Sequence, residues 1–430
     1  MVAEKLDKKI RDNLRDARNS LFTGDGVNSG HISFQRPLLL LLDRGVDLAT
    51  PLHHTWTYQA LVHDVMDLRL NRVSLSDAPP GDEPHGGARP KRRTVKTYDL
   101  DAHDAFWQQH KGSPFPEVAV SVQSELEEYR LQEEQVKSLK TALGLEGDGD
   151  DGAISLLSDT SAQLTSAVSS LPELLEKKRL IDTHTNIATA VLEHIKARRL
   201  DVYFELEERM MGKLSLDRPL MEFITDPDAG TPEDKMRLFL IHYICSPHPP
   251  SEAELDAFSV GLERGGCDLT PLTYIRRWRS FSRMTSTSIS SSTTSYTGGG
   301  TNTISMFSRL VNTGSQFVME GVKNLVIKRH KLPATCLLDR LMEMKASPET
   351  DDYRYFDPKL IRGNDSSTAR SKNPFQEAVV FMIGGGNYIE YQNLMDYIKT
   401  KPGKRVTYGS TELLNSTQFL KQLSKLGANL

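Results

Sequence analysis

Three cysteines in 430 residues, Cys245, Cys267 and Cys336, are too few and too far apart for a disulfide framework or a Cys/His metal site. They fit a reducing compartment, with each thiol packed as a small apolar group. No apolar run approaches the roughly 20 residues of a membrane-spanning helix. No signal peptide opens the chain. Residues 1–18 instead place Leu6, Ile10 and Leu14 at i, i+4 and i+8, an amphipathic helix expected from Val2 to Leu21, so the chain reads as a fragment that starts inside a domain. The Gly384-Gly385-Gly386 stretch lacks the G-x-G-x-x-G spacing and no Gly-Lys-Ser/Thr follows it, the histidines match no H-E-x-x-H, and no nucleophile elbow accompanies Asp43 or Asp47. A net charge of -4 excludes a general polyanion binder, and with it a nucleic-acid partner.

What is present is organised around Arg36–Leu70. Leu38–Leu42 is an unbroken apolar run, bounded by Pro37 and by Asp43-Arg44-Gly45, and reads as a strand buried on both faces of a parallel sheet. A loop with Pro51 leads to a helix expected from Tyr58 to Leu70, with Leu61, Val65 and Leu68 on one face. Ala378–Ile383 is a second buried strand. It ends in Gly384-Gly385-Gly386 and is followed by a helix from Ile389 to Thr400, a strand at Arg405–Tyr408 and a last helix from Glu412 to Leu426. Between these ends, Thr94–Leu100 reads as a short strand and nearly everything after Asp101 as helix. Pro116 starts an acidic helix that stops near Gly144, Ile154–Val168 is amphipathic, and Pro172 starts a long helix to Met211. Pro232–Ile244, Ser251–Leu262 and Pro333–Met344 add shorter helices, and residues 347–374 are irregular. The expected fold is an α/β parallel-sheet domain of discontinuous N- and C-terminal segments, 1–98 and 375–430, with the Leu38 and Ala378 strands central. A large, mainly α-helical domain, 99–374, is inserted in it, with a helical hairpin at 116–211 and a flexible loop plus amphipathic helix at 285–331.

Several groups invite a chemical reading. Gly384-Gly385-Gly386 lies between strand and helix, where phosphates bind, but the residues favour a tight turn needing positive φ. His53, His54 and His63 match no metal spacing and read as structural. Asp43 and Asp47 sit at a strand's carboxyl end without a nucleophile, and Asp43-Arg44 reads as a structural ion pair and turn. The hairpin either packs against itself as a bundle or receives a partner helix in a groove. From Arg264 to Lys331 there are ten basic and two acidic residues, which suits an acidic partner, an anionic membrane, or a solvated face balanced by the acidic hairpin. Within residues 304–331, Ile304, Phe307, Val311, Val318, Val322 and Leu325 share one helical face, and Lys328, Arg329 and Lys331 close the stretch. That is either an ordinary core helix or one that lies on a loosely packed anionic membrane.

The stretch DRGVDLATPLHHTWTYQALVHDVMDL resembles the signature of the Sec/Munc-type (SM) family of SNARE regulators, DR-x-x-D-x-x-x-P-x-x-H-x-x-T-Y-x-x-L-x-x-D. FMIGGGNYIEYQNL resembles the family's late strand and turn, and the wording of both is similar to the Sly branch, which works between endoplasmic reticulum and Golgi. The resemblance covers essentially the whole chain and implies an arch-shaped, non-enzymatic protein with no cofactor. It departs at the start, where the family's N-terminal domain is missing, and with it that domain's contact to the syntaxin-type SNARE's N-terminal peptide. It implies that the inserted hairpin binds R-SNARE and syntaxin-type SNARE motifs and templates their assembly. Leu164, Val168, Leu171, Leu174, Ile181 and His184 are the expected contacts. A monomer, cytoplasmic and peripheral to ER/Golgi membranes and transport vesicles, is expected. An α/β hydrolase or nucleotide enzyme with a helical lid is the alternative, and a tethering scaffold without templating a third.

Overall fold

The computed structural model describes residues 1–15, 37–76, 95–142, 157–248, 250–286, 331–358 and 374–429. Helix α1, Val2–Arg15, docks by Arg11, which donates to the carbonyls of Asp357 and Pro358 and pairs with Asp7 at 2.8 Å. Strand β1 is Leu38–Asp43. Two short 3-10 turns, Arg44–Val46 and Thr50–Leu52, carry the chain to α2, Tyr58–Val65. The helix ends five residues earlier than its apolar spacing suggests, because Leu68 belongs to a sheet. Strands β2 (Asp67–Arg69), β3 (Arg72–Ser76) and β4 (Val95–Asp99) form an antiparallel meander in which Val73 faces Leu68 on one side and Tyr98 on the other. Leu70, at φ 54°, makes the tight turn between β2 and β3.

Helix α3 is Ala105–His110 and α4 is Phe115–Ala142. Helix α5, Leu157–Arg198, contains Pro172 instead of starting at it. It breaks at Arg199, whose φ of 54° is left-handed, and α6 continues over Leu200–Met211. Then come α7 (Leu220–Thr225), α8 (Pro232–Cys245), α9 (Glu252–Arg264) and α10 (Thr270–Ser286). Capping boxes at Thr231 and Ser251 fix the starts of α8 and α9. Helix α10 is not marked by the sequence pattern. After α11 (Pro333–Met342) and the single turn α12 (Pro348–Asp351), the chain returns as β5 (Glu377–Ile383), α13 (Tyr388–Lys399), β6 (Arg405–Ser410) and α14 (Ser416–Ala428).

Strands β1, β5 and β6 form a parallel sheet in that order, with Leu40 opposite Val380 and Val380 opposite Tyr408. The distant ends of the chain thus share one sheet. The expectation that both apolar strands are central is corrected, since among the described residues β5 is central and β1 is an edge. The Leu38 run is not buried on both faces either: Leu40 and Leu42 are buried, but Leu39 is 44% exposed. The buried face packs on α11 and α13 through Leu337, Leu338, Leu394 and Tyr397. Two further cores join the molecule. One unites α2 with the base of the α4–α5 pair, and the other unites α6, α8 and α10 with α14.

Candidate functional site

The charged and polar residues that mark the Asp43–Asp64 motif are engaged inside the fold. Asp43 accepts from the Gly45 N–H at 2.9 Å and Asp47 from those of Ala49 and Thr50 at 3.0 Å, which shapes the turn after β1. The expected Asp43–Arg44 ion pair is corrected. Arg44 instead holds Glu390 of α13 in a bidentate pair at 2.7 and 3.1 Å, and Glu390 also accepts from the Tyr408 hydroxyl at 2.6 Å. Arg44 and Glu390 are both buried. Burial opposes the Arg44 charge, but the carboxylate outweighs it and raises the guanidinium's pKa.

The triple glycine is fitted to this pair. Gly384 and Gly385 have φ of 100° and 107°, a Cβ on Gly384 would sit 2.9 Å from Arg44 Cβ, and one on Gly385 would run into Leu414. At Gly386 the Tyr408 hydroxyl lies 2.5 Å from the position a Cβ would take. Packing thus accounts for all three glycines, and the Gly384 and Gly386 N–H groups already donate to the Thr411 hydroxyl and the Glu412 carbonyl.

His54 bridges elements far apart in sequence. Its Nδ1 lies 2.7 Å from Glu207 of α6 and its Nε2 3.0 Å from Asp234 of α8. Arg198, at the end of α5, donates to the same Asp234 at 3.0 Å through Nε, and Arg237 holds Asp64 at 2.9 and 3.1 Å. Three carboxylates and three cations, counting His54 as imidazolium, meet in one buried network. With carboxylates on both ring nitrogens, both nitrogens must donate. Burial and Arg237 oppose the charge, but Glu207 and Asp234 prevail and raise the His54 pKa. Burial would push Asp234 up, but hydrogen bonds from His54 and Arg198 hold it well below the usual carboxylate range. His53 and His63 are buried too, as structural histidines should be.

A third polar junction locks the base of the hairpin. His184 of α5 lies 3.0 Å from the Tyr58 hydroxyl through Nδ1 and 3.0 Å from Asp104, the α3 cap, through Nε2. The neutral tautomer with its hydrogen on Nε2 satisfies both. His184 is only 1% exposed and Ile181 6%. These two expected contacts therefore lie inside the fold and not on its surface, and His184 ties α5 to α2 and to the α3 cap.

Beyond this base the hairpin changes character. Buried positions on α4 end at Val122, and on α5, among residues with described side chains, they begin at Ile181. The projecting part keeps a half-buried seam, with Leu126, Tyr129, Glu133 and Val136 on α4 and Leu174, Lys177 and Leu180 on α5. Lys177 ties the helices together through Glu128 at 3.0 Å and Glu125 at 3.5 Å. The α4 positions follow a 3-4-3 spacing, the seam of a coiled coil. Two helices alone leave such a seam half open, and Leu131 and Leu175 remain 62% and 66% exposed. Leu174 is half-buried here. Leu164, Val168 and Leu171 fall within α5, but their side chains lie outside the described residues.

The other predicted group, residues 304–330 with Ile304, Phe307, Val311, Val318, Val322, Leu325, Lys328 and Arg329, also lies outside the described residues. Lys331 is described, and it is engaged: its Nζ is 3.2 Å from Asp339 and 5.1 Å from the centre of the Tyr397 ring. Part of the expected basic excess is likewise engaged within the chain. Arg279 is buried and donates to the carbonyls of Tyr243 and Ser246, and Arg276 pairs with Glu252 at 3.2 Å. Among the described residues, no group of three His, Cys, Asp or Glu side chains is placed to hold a metal, and no helix is long and apolar enough to cross a membrane.

A parallel sheet built from both ends of the chain, a helical insertion and a projecting hairpin place this molecule among the SM folds, and the chain belongs to the Sec1 family, whose model matches residues 1–422. It is 66% identical over 427 residues to the human "Sec1 family domain-containing protein 1", covering 99% of this chain and 66% of that protein. It is 55% identical over 436 residues to the "Protein sly1 homolog" of Drosophila melanogaster, covering 100% of this chain and 66% of that one. The chain thus spans about two thirds of these relatives. In a crystal structure of Sly1p in complex with an N-terminal peptide of Sed5p, the fold matches with a TM-score of 0.66 at 26% identity, covering 99% of this chain and 62% of that one. The SM protein Vps45, in complex with the Qa SNARE Tlg2, shares the fold at a TM-score of 0.65 and 19% identity, over 99% of this chain and 64% of that one.

Proposed function

We propose that this chain is the part of an SM-type regulator that binds SNARE helices and promotes SNARE complex assembly in vesicle fusion, in transport between endoplasmic reticulum and Golgi. The observation that carries the reading is the half-open 3-4-3 seam of the projecting hairpin on a locked base. A SNARE motif is an amphipathic helix with apolar layers, and a third or fourth helix completes such a seam. The similarity to Sly1p, solved with a peptide of Sed5p, supports the choice of partner class. On this reading R-SNARE and syntaxin-type motifs contact Leu164, Val168, Leu171 and Leu174, and the protein works as a cytoplasmic monomer peripheral to ER/Golgi membranes and vesicles. The division into 1–98 with 375–430 and an inserted 99–374 belongs to the same proposal.

The test is a pull-down against purified SNARE motifs. Val168→Asp together with Leu171→Asp weakens binding and leaves thermal denaturation unchanged if the distal hairpin is the contact surface. Binding that survives in the folded variant removes these residues from it. Residues 304–331 are proposed to contact loosely packed anionic membrane. Flotation with anionic liposomes at low salt, lost in Phe307→Asp with Val311→Asp, is the expected result, and failure of the unmodified chain to float ends that proposal.

A further inference from the structure

Near the ends of α11 and α13, four lysines gather round two carboxylates. Asp339 of α11 and Glu343, the residue that ends that helix, lie one turn apart. Asp339 has Lys331 at 3.2 Å, Lys345 at 3.0 Å and Lys401 at 4.0 Å. Glu343 has Lys401 at 2.9 Å and Lys404 at 2.8 Å. The Tyr397 hydroxyl donates to Asp339 as well, at 2.9 Å. Four ammonium groups thus share two carboxylates, and the group keeps an excess of positive charge.

The surrounding charges do not cancel this excess. Lys399 pairs with Asp396 at 3.3 Å, Arg340 with Glu349, and Arg405 with Glu377. Asp351 and Asp352, at the α12 turn, form no ion pair with the four lysines. Lysine is common at a helix C-terminus, where it meets free carbonyls. Here the backbone takes that role. Glu343, Lys345 and Phe375 donate N–H groups to the Asp339, Arg340 and Met342 carbonyls, and Thr400 and Lys401 close α13 in the same way. Among the described residues, none of the four ammonium groups donates to a carbonyl.

Two further features fit an anion that is held here. Lys404 has a side chain only 9% exposed, and burying an ammonium beside a carboxylate that already holds a lysine is costly. Both acids also stay ionised. Burial would raise the Asp339 carboxyl, but hydrogen bonds from Lys345, Tyr397 and Lys331 hold it at about 2, and Lys404 and Lys401 lower Glu343. The excess therefore remains after both carboxylates are counted at full charge. In sequence the cluster continues directly into Lys328-Arg329-His330.

We propose that Lys331, Lys345, Lys401 and Lys404 form a site for the phosphate groups of an anionic membrane surface. The choice of a membrane rests on the reading of residues 304–331 above, because the cluster stands where that stretch joins the folded body. Flotation with phosphatidylserine vesicles tests it on the unmodified chain, on Lys345→Gln with Lys401→Gln, and on Phe307→Asp with Val311→Asp. The lysine variant keeps Lys331 and Lys404 to neutralise Asp339 and Glu343, so its thermal midpoint should not change. Its vesicle affinity should fall by about tenfold or more, with a weaker dependence on salt. Lys345→Arg with Lys401→Arg keeps the charges and should bind as the unmodified chain does; loss of binding there would overturn the proposal. If the Gln variant floats as well as the unmodified chain, the site is overturned, and loss in the Phe307 and Val311 variant then leaves the insertion reading standing. If the Gln variant alone loses binding, the insertion reading fails and the site stands. An unmodified chain that does not float overturns both. Inorganic phosphate or polyglutamate that binds with the same dependence on Lys345 and Lys401, while vesicles do not, overturns the membrane site too.

Discussion

His54 shows how much a single ring can hold together. It lies on the segment after β1 and bonds to both α6 and α8, and its charge is favourable only because two carboxylates face it. Its folded pKa lies above the ordinary 6.5. The stability it contributes is therefore full below about pH 6.5 and is lost as pH rises through the elevated folded value. His54→Gln should cost about 3–5 kcal/mol at mildly acidic pH, since it leaves buried carboxylates without their cation. Urea denaturation of both proteins over a pH series checks this. The gap between the two profiles should narrow toward alkaline pH, and a flat gap would mean that the ring is neutral in the fold. Burial of the His63, His194 and His242 rings lowers their pKa and gives an opposite trend, which cancels in the difference. That His53, His54 and His63 are structural could be read from a spacing that fits no metal. The partners of His54 could not, because Glu207 and Asp234 lie far along the chain, and nothing local marks them.

At the scale of elements the hairpin divides into two parts with opposite responses to the same substitution. Ile181 is in the core at the base, so Ile181→Asp should cost several kcal/mol by burying an unpaired charge. Leu175 is 66% exposed, so Leu175→Asp should change stability by less than about 0.5 kcal/mol. Thermal denaturation of the two variants distinguishes them. Equal losses would mean that the distal segment is packed as tightly as its base. The sequence offers Leu174 and Ile181 as the same kind of contact and gives no sign of this boundary, because core and contact residues look alike in the pattern. Pro172 misleads for a related reason. Proline favours the first turn, but α5 carries it as an interior residue, and the break falls at Arg199 instead. Leu68 extends the helical spacing of Leu61 and Val65, yet pairing with Val73 takes it into a strand.

Across the whole molecule, the sheet ties residues 38–43 to residues 378–383, and a buried ion pair ties Arg44 to Glu390. The apolar runs made the two strands visible, and the glycines made the turn visible. The order of strands was not legible, since an edge strand with one dry face and a central strand both read as continuously apolar runs. Breaking the buried pair from one side, by Glu390→Gln, should cost about 3–5 kcal/mol. Arg44→Leu with Glu390→Leu should cost clearly less than the sum of the single changes, which denaturant melts of the cycle would measure. Additive losses would mean that the pair is not coupled.

The central claim is that SNARE helices dock on the projecting part of the hairpin while its base and the sheet stay fixed. Hydrogen exchange by mass spectrometry, with and without a saturating purified SNARE motif, addresses it most directly. The account predicts new protection in residues 123–138 and 157–180. It predicts no change at 181–198, where Ile187, Val191 and Ile195 are already packed in the core. Protection that appears on β1 or the rest of the parallel sheet, with the distal hairpin unchanged, would contradict it.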